Sequence, residues 1–169
     1  MNPVDVVVPY DADWPTLFDT LRSLIDPTLD GVDHATEHVG STAVPGLAAK
    51  PIIDIDIVVP TLHLLAAAIT ALTNAGYQHQ GDLGIPGRQA FRVPINWPYH
   101  HLYLVVAGNE PYRDHVDLRD YLRTHPEEAR RYGQRKRELA VHLANDRSRY
   151  FEGKHELIEQ MLERARRPE

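Results

Sequence analysis

The clearest hydrophobic pattern in the chain is the segment PIIDIDIVVP at residues 51–60. Ile53, Ile55 and Ile57 occupy alternate positions, and this period of two predicts a β-strand with one buried face. Shorter apolar runs predict further strands at 33–39, 89–95 and 100–106, and a short edge strand at Val4–Pro9. Because alternation requires a common buried face, we expect the segments near 33–39, 51–59, 89–95 and 100–106 to share one sheet.

Apolar residues at helical spacing predict helices around the strands and throughout the last part of the chain. The segments 11–29 and 62–76 both carry this spacing, and Gly76 suits the end of the second helix. From Pro111 onward, leucines and charges recur at helical spacing, with interruptions at 124–126 and 145–148, which predicts three helices. The sequence thus predicts an α/β (α+β) core at 1–108 and a C-terminal helical subdomain at 109–169, packed as one structural unit.

Composition narrows the classes of function. The 169 residues include 18 basic and 24 acidic residues, and the formal net charge of −6 argues against broad electrostatic binding to nucleic acid or to a membrane. The chain contains no cysteine, which excludes disulfides, thiolate zinc sites and a cysteine nucleophile. It shows neither a cleavable signal pattern at its start nor a long uncharged apolar run. We therefore expect a soluble cytoplasmic protein.

Two aspartates interrupt the best predicted strand. Asp54 and Asp56 are two residues apart, so both side chains point to one face of the sheet. Neighbouring carboxylates repel each other and stay ionised together only if water or a cation lies between them. Mg²⁺, which prefers carboxylate oxygens and substrate phosphates, would satisfy both. Taken alone, the pair is explained more simply by a solvent-exposed strand face.

A glycine–serine pair shortly before this strand favours the functional interpretation. Gly40 and Ser41 follow a predicted strand, where free backbone N–H groups and a hydroxyl can receive phosphate oxygens. Either residue could instead serve only in a turn or as a helix cap. A Gly-Ser step followed by Asp-x-Asp on a strand is more specific than either part, because it sets phosphates against a pair of metal-binding carboxylates.

These two motifs resemble the signature of the polymerase-beta-like nucleotidyltransferases, and the whole chain resembles the GrpB family within that superfamily. The resemblance is carried by the segments EHVGSTAVPGLAAKPIIDIDIVV, HLYLVV, RDYLRTHPEEARRYGQRKRELA and YFEGKHELI. It implies a nucleotidyltransferase-like mixed sheet flanked by helices. It also implies that Gly40 and Ser41 face nucleotide phosphates and that Asp54 and Asp56 hold Mg²⁺ or Mn²⁺.

The chain departs from this pattern on the strand at 100–106. Active members of the superfamily usually carry a third carboxylate on a later strand, and this strand, HHLYLVV, contains no acid. His101 and Tyr103 occupy the corresponding face. A histidine can bind Mn²⁺ or Zn²⁺, or take a proton, so His101 is a candidate catalytic residue. An ordinary hydrogen-bonded strand histidine is the alternative.

Four basic residues are candidates for binding phosphate or nucleotide. They are Lys50, which precedes the aspartate strand, Arg92 on a predicted strand, Arg119 on the first C-terminal helix and Lys154 on the last. Each could equally be a solvated surface charge or form an ordinary pair along its helix. The resemblance to GrpB raises the weight of Arg119 and Lys154.

Two classes of function follow. The first is an enzyme that uses a divalent metal to transfer a nucleotidyl group from a nucleoside triphosphate to a small acceptor. The second is a non-catalytic module that binds a nucleotide or a coenzyme A-related ligand, or a domain that stabilises a partner enzyme; the missing third carboxylate favours the binding module. Related domains fused to dephospho-coenzyme A kinases are part of what the resemblance implies.

Overall fold

A five-stranded mixed sheet lies at the centre of the protein. We describe a computed structural model, which covers residues 6–142 and 146–167. Its strands are β1 (Ala35–Val39), β2 (Ile53–Val59), β3 (Gln78–His79), β4 (Arg88–Arg92) and β5 (His100–Val106). Its helices are α1 (Trp14–Ile25), α2 (Leu65–Asn74), α3 (Glu110–Thr124), α4 (Pro126–Ala140) and α5 (Arg147–Ala165). The mixed α/β (α+β) class predicted from the sequence is confirmed.

The strand order is β1-β2-β5-β4-β3. Only β2 and β5 run parallel, and the other neighbours are antiparallel. The four segments predicted to share one sheet do share it. The sequence pattern missed β3, because its two residues are both exposed and leave no alternation to detect.

The edge strand predicted at Val4–Pro9 is wrong for the described part of that segment. Val8 forms a single bridge to Ala49, with backbone N···O distances of 2.8 and 3.0 Å. Residues 1–5 lie outside the described part of the chain. Pro9 has no N–H to extend the ladder beyond this bridge.

The two faces of the sheet have different partners. The isoleucines of β2 (Ile53, Ile55 and Ile57) lie in the main core with buried residues of α1 and α2, such as Leu21 and Leu72. The opposite face carries the aspartates of β2, and α3 contacts β1 and β5. The alternation in PIIDIDIVVP therefore separates an apolar core face from a polar face covered by a helix.

The C-terminal helices pack on one another and on the loop that follows β1. Three helices were predicted, and α3, α4 and α5 confirm them; the second interruption, near 145–148, falls partly outside the described residues. Val44 and Leu47 from the loop share a buried cluster with Tyr132 of α4. Gly133 of α4 lies directly against this loop, since a Cβ there would lie 3.4 Å from the backbone nitrogen of Ala48. The described residues include no helix that is long and apolar enough to cross a membrane.

A buried hydrogen-bonded pair fixes the start of β5. The Tyr77 hydroxyl lies 2.8 Å from Nε2 of His100, and Nδ1 of His100 lies 2.7 Å from the carbonyl oxygen of Pro98. The carbonyl can only accept, so His100 donates from Nδ1 and accepts the tyrosine proton at Nε2. Burial lowers the pKa of His100 and keeps it neutral. The pair anchors the turn that precedes His101.

We expect Tyr77→Phe to lower the free energy of unfolding by about 1–3 kcal/mol, because Nε2 of the buried His100 loses its donor. Urea unfolding at pH 7.5 measures this change. Tyr99→Phe removes a hydroxyl from an exposed ring in the same region and serves as the matched control. Equal stability of the two variants would show that the buried pair does not support the fold.

Candidate active site

Asp54 and Asp56 lie on the face of the sheet that α3 covers. In the β-ladder, Asp54 is opposite His101 and Asp56 is opposite Tyr103 of β5, so all four side chains share this face. The Asp54 side chain is 28% exposed, whereas that of Asp56 is fully buried. Solvent therefore reaches the carboxylate of Asp54 but not that of Asp56. The simpler interpretation, a solvent-exposed strand face, does not describe this pair.

Each aspartate is hydrogen-bonded to one histidine. Nδ1 of His101 lies 2.7 Å from Oδ1 of Asp54, and Nδ1 of His115, on α3, lies 2.8 Å from Oδ2 of Asp56. A carboxylate oxygen accepts, so each ring donates from Nδ1 and leaves Nε2 for another partner. For His101 that partner is the Tyr99 hydroxyl, at 3.4 Å.

The two carboxylates differ in acidity because their surroundings differ. Burial alone would raise the pKa of Asp54, but the hydrogen bond and charge of His101, with the charge of Lys154, hold it below its ordinary value. Burial raises the pKa of Asp56 in spite of the hydrogen bond from His115. Burial alone would lower the pKa of His115, and its bond to Asp56 raises it instead. Asp54 is thus the readily ionised member, and the Asp56–His115 pair retains its proton more tightly.

The Asp56 carboxylate is only partly hydrogen-bonded. Oδ1 of Asp56 is buried and has no hydrogen-bond partner, which is costly for a carboxylate oxygen unless a ligand supplies one. Within residues 6–142 and 146–167, no group of three or more histidine and acidic side chains is arranged to hold a metal ion by itself. If a divalent cation binds here, Asp54 and Asp56 are the residues that could hold it, and its other ligands would be oxygens from water or a bound molecule.

Gly40 and Ser41 bring a turn of backbone against Asp54. Gly40 has φ 72° and ψ −169°, and a Cβ at this position would overlap the Asp54 carboxylate. Only glycine allows this approach together with that backbone conformation. Ser41 then begins a short 3₁₀ turn, Ser41–Ala43. The motif found in the sequence is therefore built around the first aspartate.

Lys136, a residue the sequence analysis did not select, binds the serine. Its Nζ donates to Oγ of Ser41 at 2.8 Å and lies 4.5 Å from the centre of the Tyr132 ring. Lys136 is 2% exposed. Burial, together with the charge of Lys154, lowers its pKa well below the ordinary value, although Asp54 acts in the opposite direction. A charged amine is costly to keep in this buried position without an anionic partner, which makes Lys136 a candidate residue for binding a negatively charged ligand.

The other basic candidates lie in different settings. Lys154 is close enough for its charge to lower the pKa of Asp54. Lys50 is half-buried, with Nζ 5.4 Å from the centre of the Tyr150 ring. Arg92 is exposed at the end of β4. Lys154 is thus a predicted basic residue whose charge acts on the aspartates.

Arg119 holds the strand that leads into the glycine–serine turn. Its guanidinium lies 2.8 Å from carboxylate oxygens of both Glu37 and Asp120, and Nη1 donates to the carbonyl of His38 at 3.1 Å. Nε of Arg123 similarly donates to the carbonyl of Ala43, at 2.9 Å. These two arginines tie α3 to the backbone on either side of Ser41.

The residues missed in the sequence could have been found from helical spacing. On α4, Lys136 lies on the same stripe as the buried residues Ala129, Tyr132 and Leu139. On α3, His115 lies between Pro111 and Leu122 on the buried face. A titratable residue inside an apolar stripe is the signal, because burial of such a group is costly unless it has a purpose.

Comparison with known proteins decides the family. A family model described as GrpB protein matches residues 4–164. The chain belongs to the GrpB family. It is 33% identical over 161 residues to the UPF0157 protein YqkA of Bacillus subtilis, a match that covers 95% of this chain and 47% of that protein. The chain thus spans about half the length of this relative.

Solved structures support the fold. The GrpB protein of Enterococcus faecalis matches with a TM-score of 0.82 and 29% identity, covering 95% of this chain and 96% of that one. The Cid1 poly(U) polymerase, in a MgGTP-bound structure, matches with a TM-score of 0.52 and 14% identity, covering 79% of this chain and 43% of that one. The GrpB chain therefore has a nucleotidyltransferase-like fold.

We expect stability to depend on pH through His38, which precedes the glycine–serine turn. His38 stacks on Phe18 with ring centres 4.7 Å apart, and its Nε2 is hydrogen-bonded to Oγ1 of Thr42 at 3.0 Å. Burial lowers the pKa of His38 from 6.5 to about 4, although Asp54 partly opposes this. The unfolded chain therefore binds a proton that the folded protein excludes, and stability falls as the pH drops from 6.5 towards 4.

Between pH 7 and pH 5 this effect should lower the free energy of unfolding by up to about 2 kcal/mol. His38→Gln cannot titrate and should lose correspondingly less stability over the same interval, because every other histidine is unchanged. Urea unfolding of both proteins at the two pH values measures the difference. Parallel losses in wild type and variant would show that His38 is not held neutral.

Proposed function

We propose that this GrpB protein binds a nucleoside triphosphate together with Mg²⁺ or Mn²⁺ and transfers its nucleotidyl group to a small acceptor. One observation carries the proposal: the buried amino group of Lys136 donates to Ser41 in the turn that touches Asp54. Cationic and carboxylate groups thus adjoin without forming a salt bridge between them. A triphosphate with a bound divalent cation presents the complementary pair of charges.

The phosphate-binding role falls to the turn and two lysines. Ser41 offers its hydroxyl and the neighbouring backbone N–H groups, while Lys136 and Lys154 supply positive charge. Asp54 and Asp56 would hold the cation, for which Oδ1 of Asp56 is the unpaired oxygen. When bound, the cation would neutralise charge on the reacting phosphate.

The proposed reaction conserves atoms and charge in a simple way. An acceptor hydroxyl oxygen forms a bond to the α-phosphorus, and the bond from that phosphorus to the β-phosphate oxygen breaks and releases pyrophosphate. The hydroxyl proton must leave during this step. His101 is our candidate base, since its Nδ1 donates to Asp54, and Nε2, which in the described chain has only the long contact of 3.4 Å to the Tyr99 hydroxyl, is the nitrogen that would take the proton.

The proposed site draws on both parts of the chain. We propose that residues 1–108 form the nucleotidyltransferase-like core and that 109–169 form a helical subdomain packed on it. Ser41 and the aspartates come from the first part, and Lys136, Lys154 and His115 come from the second. The contacts that join them, from Lys136 to Ser41 and from His115 to Asp56, support a ligand site between the two parts.

One observation favours a second function, a binding module without turnover. The chain has His101 and Tyr103 where active superfamily members carry a third carboxylate on β5. If His101 only orients Asp54, nucleotide or a coenzyme A-related ligand would bind and persist. The formal net charge of −6 favours a small molecule over nucleic acid as the second ligand in either case.

We expect Lys136→Met to weaken binding of a nucleoside triphosphate by about tenfold or more, because a charged hydrogen bond to phosphate is lost. The same change should raise the thermal midpoint or leave it unchanged, because it removes a buried charge. Isothermal titration with each of the four common triphosphates and Mg²⁺ measures binding. Arg135→Met, which removes an exposed charge on the same helix, is the matched control. If wild type and Lys136→Met bind all four equally, Lys136 does not bind phosphate.

We expect His101→Ala to reduce transfer by about a hundredfold or more while changing the Kd for triphosphate little, since a base acts in the transition state. Mass spectrometry of a panel of hydroxyl acceptors, incubated with triphosphate and Mn²⁺, detects the added mass. His63→Ala alters an exposed histidine in the turn that precedes α2 and serves as the control. Unchanged transfer in His101→Ala would refute its role as base, and binding without transfer in wild type with every acceptor would support the binding module.

A further inference from the structure

We infer that Arg88 forms an anion-binding subsite for the acceptor, so that the acceptor carries a carboxylate or phosphate group in addition to its reacting hydroxyl. The inference deepens the proposed function and rests on it for the identity of the ligand as an acceptor. The anion-binding property itself rests only on the surroundings of Arg88, and it can be tested separately.

Strand register places Arg88 on the same face as the aspartates. Arg88 of β4 is opposite Val105 of β5, which lies two residues beyond Tyr103. The guanidinium carbon of Arg88 lies 4.5 Å from the centre of the Tyr103 ring. Since Tyr103 is directly opposite Asp56, the ring holds the guanidinium on the face of the sheet that carries the buried carboxylate. Burial raises the pKa of Asp56, and the charge of Arg88 partly counteracts that effect.

The guanidinium of Arg88 has unused hydrogen-bonding capacity. Its Nε is buried and has no partner, and its Nη2 makes only a long contact of 3.4 Å to the carbonyl oxygen of Asp82. By contrast, Arg119 and Arg166 each contact two carboxylates. Among the described residues, Arg88 therefore has a stacked, oriented guanidinium whose donors are not satisfied by a carboxylate.

A purely structural role for Arg88 would predict a different geometry. If the guanidinium served only to neutralise Asp56, Nε or Nη would donate to Oδ1 of that residue. Instead, Oδ1 of Asp56 and Nε of Arg88 are the two buried side-chain polar atoms without partners in the described chain. A buried donor and a buried acceptor on one face of the sheet, neither of which has a partner, each call for another group. A cation suits the oxygen, and an anionic group suits the guanidinium.

The position of Arg88 points to the acceptor rather than to the triphosphate. Ser41 and Lys136 lie on the β1 side of the aspartates, because the turn follows β1 and touches Asp54. Arg88 lies on β4, which is separated from the aspartate strand by β5 on the other side. The aspartates thus lie between two cationic regions. If the triphosphate occupies the first, the second faces the direction from which an acceptor hydroxyl would approach.

The experiment follows the Nε–H resonance of Arg88 by ¹H–¹⁵N nuclear magnetic resonance of the full chain, assigned with Arg88→Gln. Inorganic phosphate and acetate are titrated separately into wild type and into Lys136→Met, which lacks the proposed triphosphate contact. We expect a saturable shift of the Arg88 resonance with at least one anion, equal in the two proteins. The anion that binds more tightly distinguishes a phosphorylated acceptor from a carboxylic acid.

Two variants separate a subsite from a general effect of charge. Arg88→Lys keeps the charge but lacks the planar pair of donors, so it should weaken anion binding by about tenfold, measured from the Tyr103 backbone amide. Arg22→Gln removes an exposed arginine that also lies over an aromatic ring, 5.7 Å from the centre of Phe18, and should leave binding unchanged. The inference is overturned if the Nε–H resonance of Arg88 shows no saturable shift, or if the Nε–H resonance of Arg22 in wild type shifts in the same way. A shift at Arg88 in a protein that binds no triphosphate would retain the anion site and remove the proposed function instead.

Discussion

The fully buried carboxylate of Asp56 is the constraint on which the arrangement of the site depends. The hydrophobic sheet must form around β2 for its isoleucines to enter the core, and the same strand then carries Asp56 beneath α3. A buried ionisable group that water does not reach needs a hydrogen-bond partner, and Nδ1 of His115 donates to Oδ2 of Asp56. The other oxygen remains unpaired. Formation of the core thus buries a carboxylate that the described side chains satisfy at only one of its two oxygens.

Two basic side chains of the site, Lys136 and Arg88, form no salt bridge with the aspartates. Lys136 bonds to a serine rather than to a carboxylate, and Arg88 stacks on a tyrosine rather than pairing with an acid. Such an arrangement costs stability in the free protein, because buried charges stay incompletely compensated. The ligand that we propose, a triphosphate with a bound cation, would bring both a cation and anionic groups. The fold itself is the nucleotidyltransferase-like fold that this chain shares with the Cid1 poly(U) polymerase.

The sequence was informative where chemistry and periodicity coincide within one segment. Asp54 and Asp56 stand out because they interrupt an alternating strand, and Gly40 precedes them in a recognisable motif. Lys136 and His115 each lie at helical spacing with apolar residues, which is a detectable signal. They were not predicted because both helices are rich in charge, and only tertiary packing shows which helix face is buried. The two-residue β3 and the single bridge at Val8, where the sequence predicts a strand, also depend on neighbours distant in sequence, which local pattern does not report.

The most direct test of the central claim is a titration with Mn²⁺ followed by electron paramagnetic resonance. The proteins compared are wild type, a variant with Asp54→Asn and Asp56→Asn, and a control with Asp30→Asn and Asp33→Asn, two exposed residues that lose the same charge. We predict saturable Mn²⁺ binding in wild type and in the control, enhanced by triphosphate, and its loss in the Asp54 and Asp56 variant. Equal Mn²⁺ affinity in all three proteins would contradict a metal site at the buried aspartates.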